Sequence, residues 1–329
     1  MNINEFPIEL ICPLCKNKLE AEIHRYYCNK CSKEFPITFG IPDLRTSDPF
    51  FFTIEKEQEN VKKLIDNFET NNYSDLVKLR FSNEIREDLL ERYLRSWLGT
   101  VERNLSLFKR VENICKENGH SMENHIALDV GAGSGGMLIT LASKFKFVIG
   151  VDISMESLIY AKKLILEHNF NNVHLYCCGI NSLPFNSDTF DLVSASNVIE
   201  HIQDQKTAIQ EIHRTQKKNA ILFGDIPNRF SLKPEPHVNL MFVGFLPRKF
   251  APKYVWLLRK RHYDGYNLPS MNDIVKLFQP IYNKHFKIFP IGHVFESFSK
   301  LFSNNSLLST IKKTNDFFCN YFIVIAKKD

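Results

Sequence analysis

A glycine-rich loop between a short apolar run and a helix-like segment constrains this chain more than any other feature. The loop reads DVGAGSGG over residues 129–136 and follows the apolar run HIALDV. Glycines at these positions permit a tight turn and a close approach of the backbone to a ligand. Up to residue 227, further apolar runs alternate at short spacing with segments of helical periodicity. This alternation predicts an α/β, Rossmann-like, doubly wound parallel sheet covered by helices.

Three regions are expected along the chain. Residues 1–45 are rich in cysteine and interrupted by prolines. Residues 46–120 are rich in charge and carry apolar positions at helical spacing, which predicts two or three amphipathic helices. Residues 121–329 contain the alternating core, with an insertion at 229–269 and a last strand at 320–327.

The composition of the chain, 329 residues with 44% hydrophobic and 24% charged, is ordinary for a globular protein. It excludes a mainly disordered or fibrous chain. No stretch approaches the roughly 18 apolar residues of a spanning helix, and the N-terminus does not read as a secretory signal. We therefore expect a cytoplasmic protein. The net charge of +5 permits phosphate-rich partners but does not require them.

Four of the eight cysteines form two C-x2-C pairs, Cys12/Cys15 and Cys28/Cys31, separated by twelve residues. Two thiolates from each of two tight turns make a tetrahedral four-sulfur site, which suits Zn²⁺ with no open position. A redox C-x-x-C would be single, and a reducing compartment argues against two disulfides. Because so short a segment has little apolar core of its own, the zinc is expected to be structural.

The glycine loop also satisfies G-x-G-x-x-G, and Asp152 lies twenty-one residues after Gly131, as in a dinucleotide-binding dehydrogenase. Two observations argue against that class. Asp129, just before the turn, would repel a pyrophosphate but would favour the ammonium of a methionine moiety. The segments that follow, LPF at 183–185 and FDLV at 190–193, are not features of dehydrogenases.

Four segments in this order, DVGAGSGG, VIGVDIS, LPF-x4-FDLV and SNVIEHI, resemble class I S-adenosylmethionine-dependent methyltransferases of the small-molecule type. The resemblance covers about residues 121–227 and implies a seven-stranded sheet, with the strand at 320–327 as the seventh. It implies S-adenosylmethionine as cofactor. The cofactor-binding residues expected from it are Asp129, Gly131, Gly133, Gly135, Asp152, Ile153, Ile180, Asn181 and Asn197.

Within this resemblance, individual residues have distinct expected roles. Gly131 and Gly133 shape the loop around the methionine portion. Asp152 accepts hydrogen bonds from the two ribose hydroxyls, and Ile153 packs on the adenine face. Asn197 lies at the end of the fourth strand, where the methyl group of the cofactor faces the substrate.

The sequence departs from the family at one position. An Asp that contacts the adenine amino group usually stands where this chain has Gly179. Asn181 is near enough to substitute for it, as is a backbone carbonyl.

The cysteine-rich front segment, which ends in FPITFGIPDL, has a resemblance of its own. It is similar to zinc ribbons of small activator subunits for transfer-RNA and translation-factor methyltransferases. It is more closely similar to ribbons fused in front of small-molecule methyltransferases, because the ribbon and the catalytic domain share one chain. An N-terminal zinc ribbon and a helical segment are therefore expected before the core.

Methyl transfer to a hydroxyl usually needs a base beside the positioned donor. His201 follows the fourth strand and is the first candidate for this catalytic role, although Glu200 and His201 could instead orient the next helix. His237, in the insertion, is the second candidate, with an ordinary loop histidine as the alternative. Asp225 ends the fifth strand and could reach the same pocket or cap a turn.

A run of basic residues interleaved with aromatic ones, at 248–262, leaves several interpretations open. It fits a solvated amphipathic helix, a site for a phosphate-bearing substrate, a peripheral membrane contact or an RNA contact. The sequence alone does not choose among them.

The leading hypothesis is methylation of a small molecule, at an oxygen of a sugar, a glycan precursor or a lipid-linked metabolite. The alternative is an RNA base methyltransferase that uses the zinc module to recognise RNA. The balanced charge predicts a weak electrostatic footprint for nucleic acid, so RNA is not the expected partner. A third possibility, a non-catalytic scaffold, is disfavoured by the intact glycine loop and Asp152.

Overall fold

The computed structural model describes residues 8–82, 87–120, 125–292 and 316–329. Within these ranges the chain forms a small four-stranded sheet, a set of helices and a larger seven-stranded sheet. No helix among the described residues has both the length and the apolar character needed to cross a membrane.

The four short strands belong to the cysteine-rich module, residues 8–45. The first two cysteines precede the first strand, Cys28 ends the second, and Cys31 lies in the turn before the third. Neighbouring strands pair antiparallel in the order β1-β2-β3-β4. The strands are β1 (Glu20–Ala21), β2 (Arg25–Cys28), β3 (Lys33–Thr38) and β4 (Ile41–Pro42).

The segment predicted to be helical contains four helices in its described part, one more than the two or three expected from periodicity. Thr53 and Asn72 cap the first two, each accepting a hydrogen bond from a backbone N–H in the first helical turn. The helices are α1 (Ile54–Asp66), α2 (Tyr73–Arg80), α3 (Glu87–Leu98) and α4 (Thr100–Glu117).

The alternating core predicted from residue 125 onward is confirmed element by element. Its strands are almost entirely buried, which explains their continuous apolar character. The elements are β5 (Ile126–Val130), α5 (Gly136–Ala142), β6 (Phe147–Asp152), α6 (Met155–Glu167), β7 (Val173–Cys177), β8 (Phe190–Ser194), α7 (Gln205–Thr215) and β9 (Gln216–Pro227).

One boundary differs from the apolar pattern. The run FDLVSASNVI predicts a single strand over 190–199, but β8 ends at Ser194. Asn197 has a left-handed backbone with φ 53°, and a short 3-10 turn follows at Ile199–His201. A left-handed residue cannot continue a strand, so the chain turns there.

The C-terminal part contributes two helices and two strands. They are α8 (Ala251–Arg259), α9 (Met271–Tyr282), β10 (Phe286–Ile291) and β11 (Tyr321–Lys327). The last two pair antiparallel, with Ile288 opposite Val324. The complete strand order of the larger sheet is β10-β11-β9-β8-β5-β6-β7, and β5, β6, β7 and β8 pair in parallel. The strand predicted at 320–327 is thus confirmed.

The chain divides into two compact units. The first comprises Met1–Ser194, Glu211–Ile221 and Lys328. The second comprises Ala195–Gln210, Leu222–Lys327 and Asp329. The cysteine-rich module and α1–α4 both fall in the first unit, and the insertion predicted at 229–269 falls in the second.

Candidate active site

The glycine loop leaves β5 and turns back against β6. The backbone N–H groups of Gly131 and Ala132 both donate to the Val151 carbonyl, at 2.8 and 2.9 Å. Gly133 has φ +50°, and a Cβ built on it would meet only the Gly131 carbonyl oxygen, at 3.9 Å. The backbone at Gly133 therefore faces open space, which leaves room for a ligand to lie directly on it.

Gly135 has a different task in the same loop. Its φ is +90°, and a Cβ there would lie 3.0 Å from the Cα of Ala161 in α6. This glycine therefore permits close packing of the loop against α6 and is not itself shown to face a ligand.

Asp152, the last residue of β6, is held on both carboxylate oxygens. Its Oδ2 accepts the Gly133 N–H and its Oδ1 accepts the Ser154 N–H, each at 2.8 Å. Desolvation raises the pKa of this carboxyl group. A carboxylate fixed in this way keeps further lone pairs for a diol, as the predicted role at the ribose requires.

Asp129 is 3% exposed near the end of β5, in register with Gly150 on one side and Ser194 on the other. Burial, with a smaller contribution from the nearby Asp152, raises its pKa to about 7. A carboxyl group in this setting is stabilised in its charged form by a neighbouring cation. It therefore fits the predicted partnership with an ammonium group.

The residues predicted to lie around adenine are adjacent in part. Ile153 is 36% exposed, and a Cβ on Gly179 would lie 3.4 Å from its Cδ1. Ile180 is half-buried and Asn181 is exposed, both in a 3-10 turn at Ile180–Ser182. An exposed apolar side chain beside a glycine can accept a flat ring, whereas hydrogen bonding by Asn181 to that ring stays a prediction.

The four clustered cysteines converge. Their sulfur atoms lie within 4.8 Å of one another, with Cys15 and Cys28 Sγ 3.5 Å apart. All eight cysteines, which lie within the described ranges, are free thiols. Four thiolates around one zinc stand about 3.8 Å apart when each Zn–S bond is about 2.3 Å. The donor set therefore fits zinc.

The cysteine-rich module supports the loop that follows β7. The Ile11 N–H donates to the Pro184 carbonyl at 3.0 Å, and Lys16 Nζ donates to the Leu183 carbonyl at 3.3 Å. The Leu44 N–H donates to the carbonyl of Cys177, the last residue of β7, at 2.7 Å. The segment 178–185, which contains the residues predicted around adenine, is thus attached to the module at both ends.

A buried ion pair that contacts residues 153–154, just after β6, was not predicted from the sequence. Arg45 Nη1 donates to Glu57 Oε2 at 2.6 Å and to the Ile153 carbonyl at 3.1 Å. Glu57 Oε1 in turn accepts the Ser154 hydroxyl at 2.7 Å. These hydrogen bonds hold residues 153–154 in place. Nothing in the sequence marks it, because Arg45 and Ile153 are more than a hundred positions apart.

In the second unit, Asn197 is bound to Asp225. Its Nδ2 lies 3.0 Å from each carboxylate oxygen of Asp225, and its N–H donates to the Asp225 carbonyl at 2.9 Å. Both Asp225 and Asn197 were candidates for the pocket. The structure brings them together, with the Asn197 side chain exposed.

The two candidate catalytic histidines are also neighbours. The Nε2 atoms of His201 and His237 are 3.3 Å apart, and Tyr266 stacks on the His237 ring with centroids 4.2 Å apart. Glu235 Oε1 lies 2.5 Å from His237 Nδ1. Glu235 was missed from the sequence, although a carboxylate two residues before a histidine in PEPH is a recognisable signal.

Burial and nearby charges shift the pKa values of His201 and of the adjacent Glu200. Burial, followed by repulsion from His237, lowers the pKa of His201 to about 4. Burial raises the pKa of Glu200 to about 8. His201 is therefore neutral at pH 7 but a weak base, and the His237 ring is oriented by Glu235.

Aromatic side chains of the insertion at 229–269 are partly exposed. Phe242 and Phe245 are 55% and 39% exposed, and the rings of Phe230 and Phe245 lie 5.6 Å apart. Arg259, which belongs to the basic run at 248–262, donates to the carbonyls of Val238 and Asn239 at 3.3 and 2.6 Å. It supports the loop that carries His237.

Comparison with known proteins assigns the middle of the chain. A family model described as a methyltransferase domain matches residues 121–236. An uncharacterized methyltransferase of Bacillus subtilis, YcgJ, is 30% identical over 135 residues, which is 40% of this chain and 50% of that protein. A ubiquinone biosynthesis O-methyltransferase of Coxiella burnetii is 33% identical over 102 residues, 31% of this chain and 43% of that protein.

A third relative is the ajmaline N-methyltransferase of Rauvolfia serpentina, 30% identical over 159 residues, 46% of this chain and 53% of that protein. The chain thus spans about half the length of the curated relatives it matches. The match lies on the glycine loop, Asp152 and the elements around them. Residues 121–236 are therefore similar to methyltransferase domains.

Proposed function

We propose that this protein transfers a methyl group from S-adenosylmethionine to a small-molecule acceptor, at an oxygen of a sugar, a glycan precursor or a lipid-linked metabolite. The observation that carries the proposal is the geometry at Asp152, whose carboxylate is fixed against Gly133 beside an open backbone surface. The methyltransferase-domain match over the same residues supports it.

Bound S-adenosylmethionine supplies an activated methyl group on sulfur. The new oxygen–carbon bond forms as the sulfur–carbon bond breaks, and sulfur keeps the electron pair. The hydroxyl proton of the acceptor has to leave as well. In this proposal His201 or His237 accepts that proton, and His237 is held by Glu235.

The chain's own residues would hold the donor from three sides. Asp129 pairs with the ammonium of the methionine moiety, Asp152 accepts the ribose hydroxyls, and Ile153 lies under the adenine. Cys12, Cys15, Cys28 and Cys31 bind one zinc ion that stabilises the module and does not enter the reaction.

Two observations favour a small acceptor over RNA. Two of the three relatives named above are a ubiquinone biosynthesis O-methyltransferase and an ajmaline N-methyltransferase, and neither name refers to RNA. The cysteine-rich module also has a task within the fold, because its contacts hold the 178–185 segment. It does not need RNA recognition to account for its presence.

The direct test is methyl transfer itself. Purified protein, S-adenosylmethionine labelled on the methyl group and a panel of hydroxylated sugars, lipid-linked sugars and phenols are incubated in parallel with total RNA. We expect label in a small-molecule fraction. Label confined to RNA would refute the proposed acceptor class, and binding of a nicotinamide dinucleotide in place of S-adenosylmethionine would refute the cofactor.

The basic-aromatic segment 248–262 is proposed as a peripheral membrane contact. Trp256, Leu257 and Leu258 on α8 are each about half exposed or more, and Lys249 and Lys253 are exposed near them. An apolar strip flanked by lysines suits an anionic lipid surface.

We expect the triple variant Lys249→Ala, Lys253→Ala and Lys260→Ala to bind anionic vesicles about 100-fold more weakly. Each lysine near such a surface contributes about 1 kcal/mol. Arg259 is left in place because it supports the His237 loop. Co-sedimentation with anionic and zwitterionic vesicles measures the effect, and calorimetry should show unchanged S-adenosylmethionine affinity. Tight RNA binding that falls steeply with salt and depends on these lysines would favour the RNA alternative.

The affinity for S-adenosylmethionine is expected to rise with pH through about 7. In the free protein, burial raises the pKa of Asp129 to about 7, so below that pH the carboxyl group is mostly protonated. A bound ammonium group requires the carboxylate, so binding releases a proton in acid. The affinity should therefore fall by up to about tenfold for each pH unit below 7. Calorimetry from pH 5.5 to pH 7.5, before the amino group of the ligand titrates, measures this slope.

The matched variant for that experiment is Asp129→Asn, which keeps the shape but removes the charge. It should bind more weakly at neutral pH and show a flat profile. A wild-type profile that is already flat would exclude Asp129 as the partner of the ammonium group.

A further inference from the structure

A cluster of three side chains in the second unit can offer ligands to one metal ion. Glu200, His201 and His237 each present one donor atom, and these atoms all lie within 4.8 Å of one another. The two histidine Nε2 atoms are 3.3 Å apart, and His201 Nε2 is 3.9 Å from Glu200 Oε1.

The separation of the two rings fits shared coordination. Two imidazole nitrogens bound tetrahedrally to one ion, at about 2.0–2.1 Å each, lie about 3.3–3.4 Å apart. His201 and His237 already have this spacing. Glu200 Oε1, which is 3.9 Å from His201 Nε2, would have to move closer to the two histidines.

Glu200 supplies a second and independent observation. Its side chain is 1% exposed, and its Oε2 has no hydrogen-bond partner among the described residues. Burying a carboxyl oxygen without a partner is unfavourable, and a bound cation removes that cost. The backbone of Glu200 is held in place, because the Glu200 carbonyl accepts the Asn267 N–H at 2.7 Å.

His237 is oriented as metal-binding histidines usually are. Its Nδ1 lies 2.5 Å from Glu235 Oε1, which makes Nδ1 the protonated nitrogen and leaves the Nε2 lone pair free for a ligand. Glu235 is 4% exposed on its side chain and also accepts the N–H groups of His237 and Val238. The carboxylate is therefore fixed before any ion binds.

We propose that Glu200, His201 and His237 bind one divalent transition-metal ion. Two imidazoles and one carboxylate suit Zn²⁺, Mn²⁺, Fe²⁺ or Co²⁺ better than the oxygen-seeking Mg²⁺ and Ca²⁺. Three protein ligands leave a position open for an oxygen of another molecule.

The consequence for the reaction rests on the proposed function. An ion held by these three residues would lower the pKa of an acceptor hydroxyl at the open position, so that its proton would pass to solvent. With the ion bound, neither histidine would have to act as a base.

The test uses the full chain, purified with its four-cysteine site filled with zinc. Mn²⁺ is titrated into the protein, and the electron paramagnetic resonance signal of the free ion reports binding. Mn²⁺ is chosen because thiolates prefer softer ions, so it does not displace zinc from Cys12, Cys15, Cys28 and Cys31. We expect one equivalent of Mn²⁺ to bind in the wild-type protein.

The variants Glu200→Gln and His237→Gln are each expected to weaken Mn²⁺ binding at least tenfold. His262→Gln is the matched control, because His262 lies in the same unit with a side chain 85% exposed. A Co²⁺ titration gives a second readout, in which this site yields a spectrum without thiolate charge-transfer bands.

If neither Mn²⁺ nor Co²⁺ binds to the zinc-filled wild-type protein, or if both variants bind as the wild type does, the proposal is overturned. The wild-type titration tests the proposal without any variant, so a variant that fails to fold does not affect that test. S-adenosylmethionine affinity, measured on the same preparation, tests the proposed methyltransferase function separately from the metal.

Discussion

Replacing Asp152 with alanine is expected to weaken S-adenosylmethionine binding by about 100-fold or more. Two hydrogen bonds from ribose hydroxyls to a charged group contribute about 1.5–3 kcal/mol each, and 1.4 kcal/mol corresponds to a factor of ten. The variant also loses the acceptors of the Gly133 and Ser154 N–H groups, so the loop itself loosens. Isothermal calorimetry on wild type and variant measures the difference.

Asp66→Ala is the control for this experiment, since Asp66 is an exposed carboxylate at the end of α1 in the same unit. It should bind S-adenosylmethionine as the wild type does. Asp152→Asn, which keeps the shape and one acceptor, should fall between the two. Equal affinity for S-adenosylmethionine in Asp152→Ala and wild type would contradict the assignment of Asp152 to the ribose hydroxyls.

The second large effect is expected from the four-cysteine site. Cys28→Ser should reduce the zinc content to well below one equivalent and lower the melting temperature. Structural zinc sites supply about 10–16 kcal/mol of binding free energy in small zinc-finger modules, so without zinc the module should lose its structure. Its hydrogen bonds to Leu183, Pro184 and Cys177 would be lost with it.

For that reason Cys28→Ser should also weaken S-adenosylmethionine binding, by about tenfold or more. Metal analysis, thermal unfolding and calorimetry are measured on the same samples. Cys115→Ala, which removes a buried thiol on α4 outside the cluster, serves as the control and should keep its zinc. Full zinc content in Cys28→Ser would contradict the assigned ligand set, and unchanged cofactor affinity in a zinc-free protein would contradict the coupling.

The functional residues of the glycine loop were predictable because they are close together in the sequence. Asp129, Gly131 and Gly133 occupy the expected places at the end of β5 and in the turn. Asp152 ends β6 as its position after an apolar run predicts. The doubled C-x2-C predicted a converging set of four thiols in the same way.

The position at which β8 ends could not be predicted from the local sequence. Residues 195–199 continue the apolar pattern of the strand, yet the chain turns at Asn197. What stabilises the turn is the carboxylate of Asp225, which lies on another strand twenty-eight positions away. A local hydrophobic pattern contains no information about such a distant partner.

The sequence by itself determined the order of strands and helices, the glycine turn and the cysteine set, because periodicity, backbone freedom and ligand spacing are local properties. Only the tertiary structure decided which distant polar groups meet. It placed Arg45 and Glu57 behind Ile153, and the ring of His237 against His201 with Glu235 behind it. Ile153 lies 108 positions from Arg45, and His237 lies 36 positions from His201. Buried charges become favourable only where folding brings their counterparts within hydrogen-bond distance.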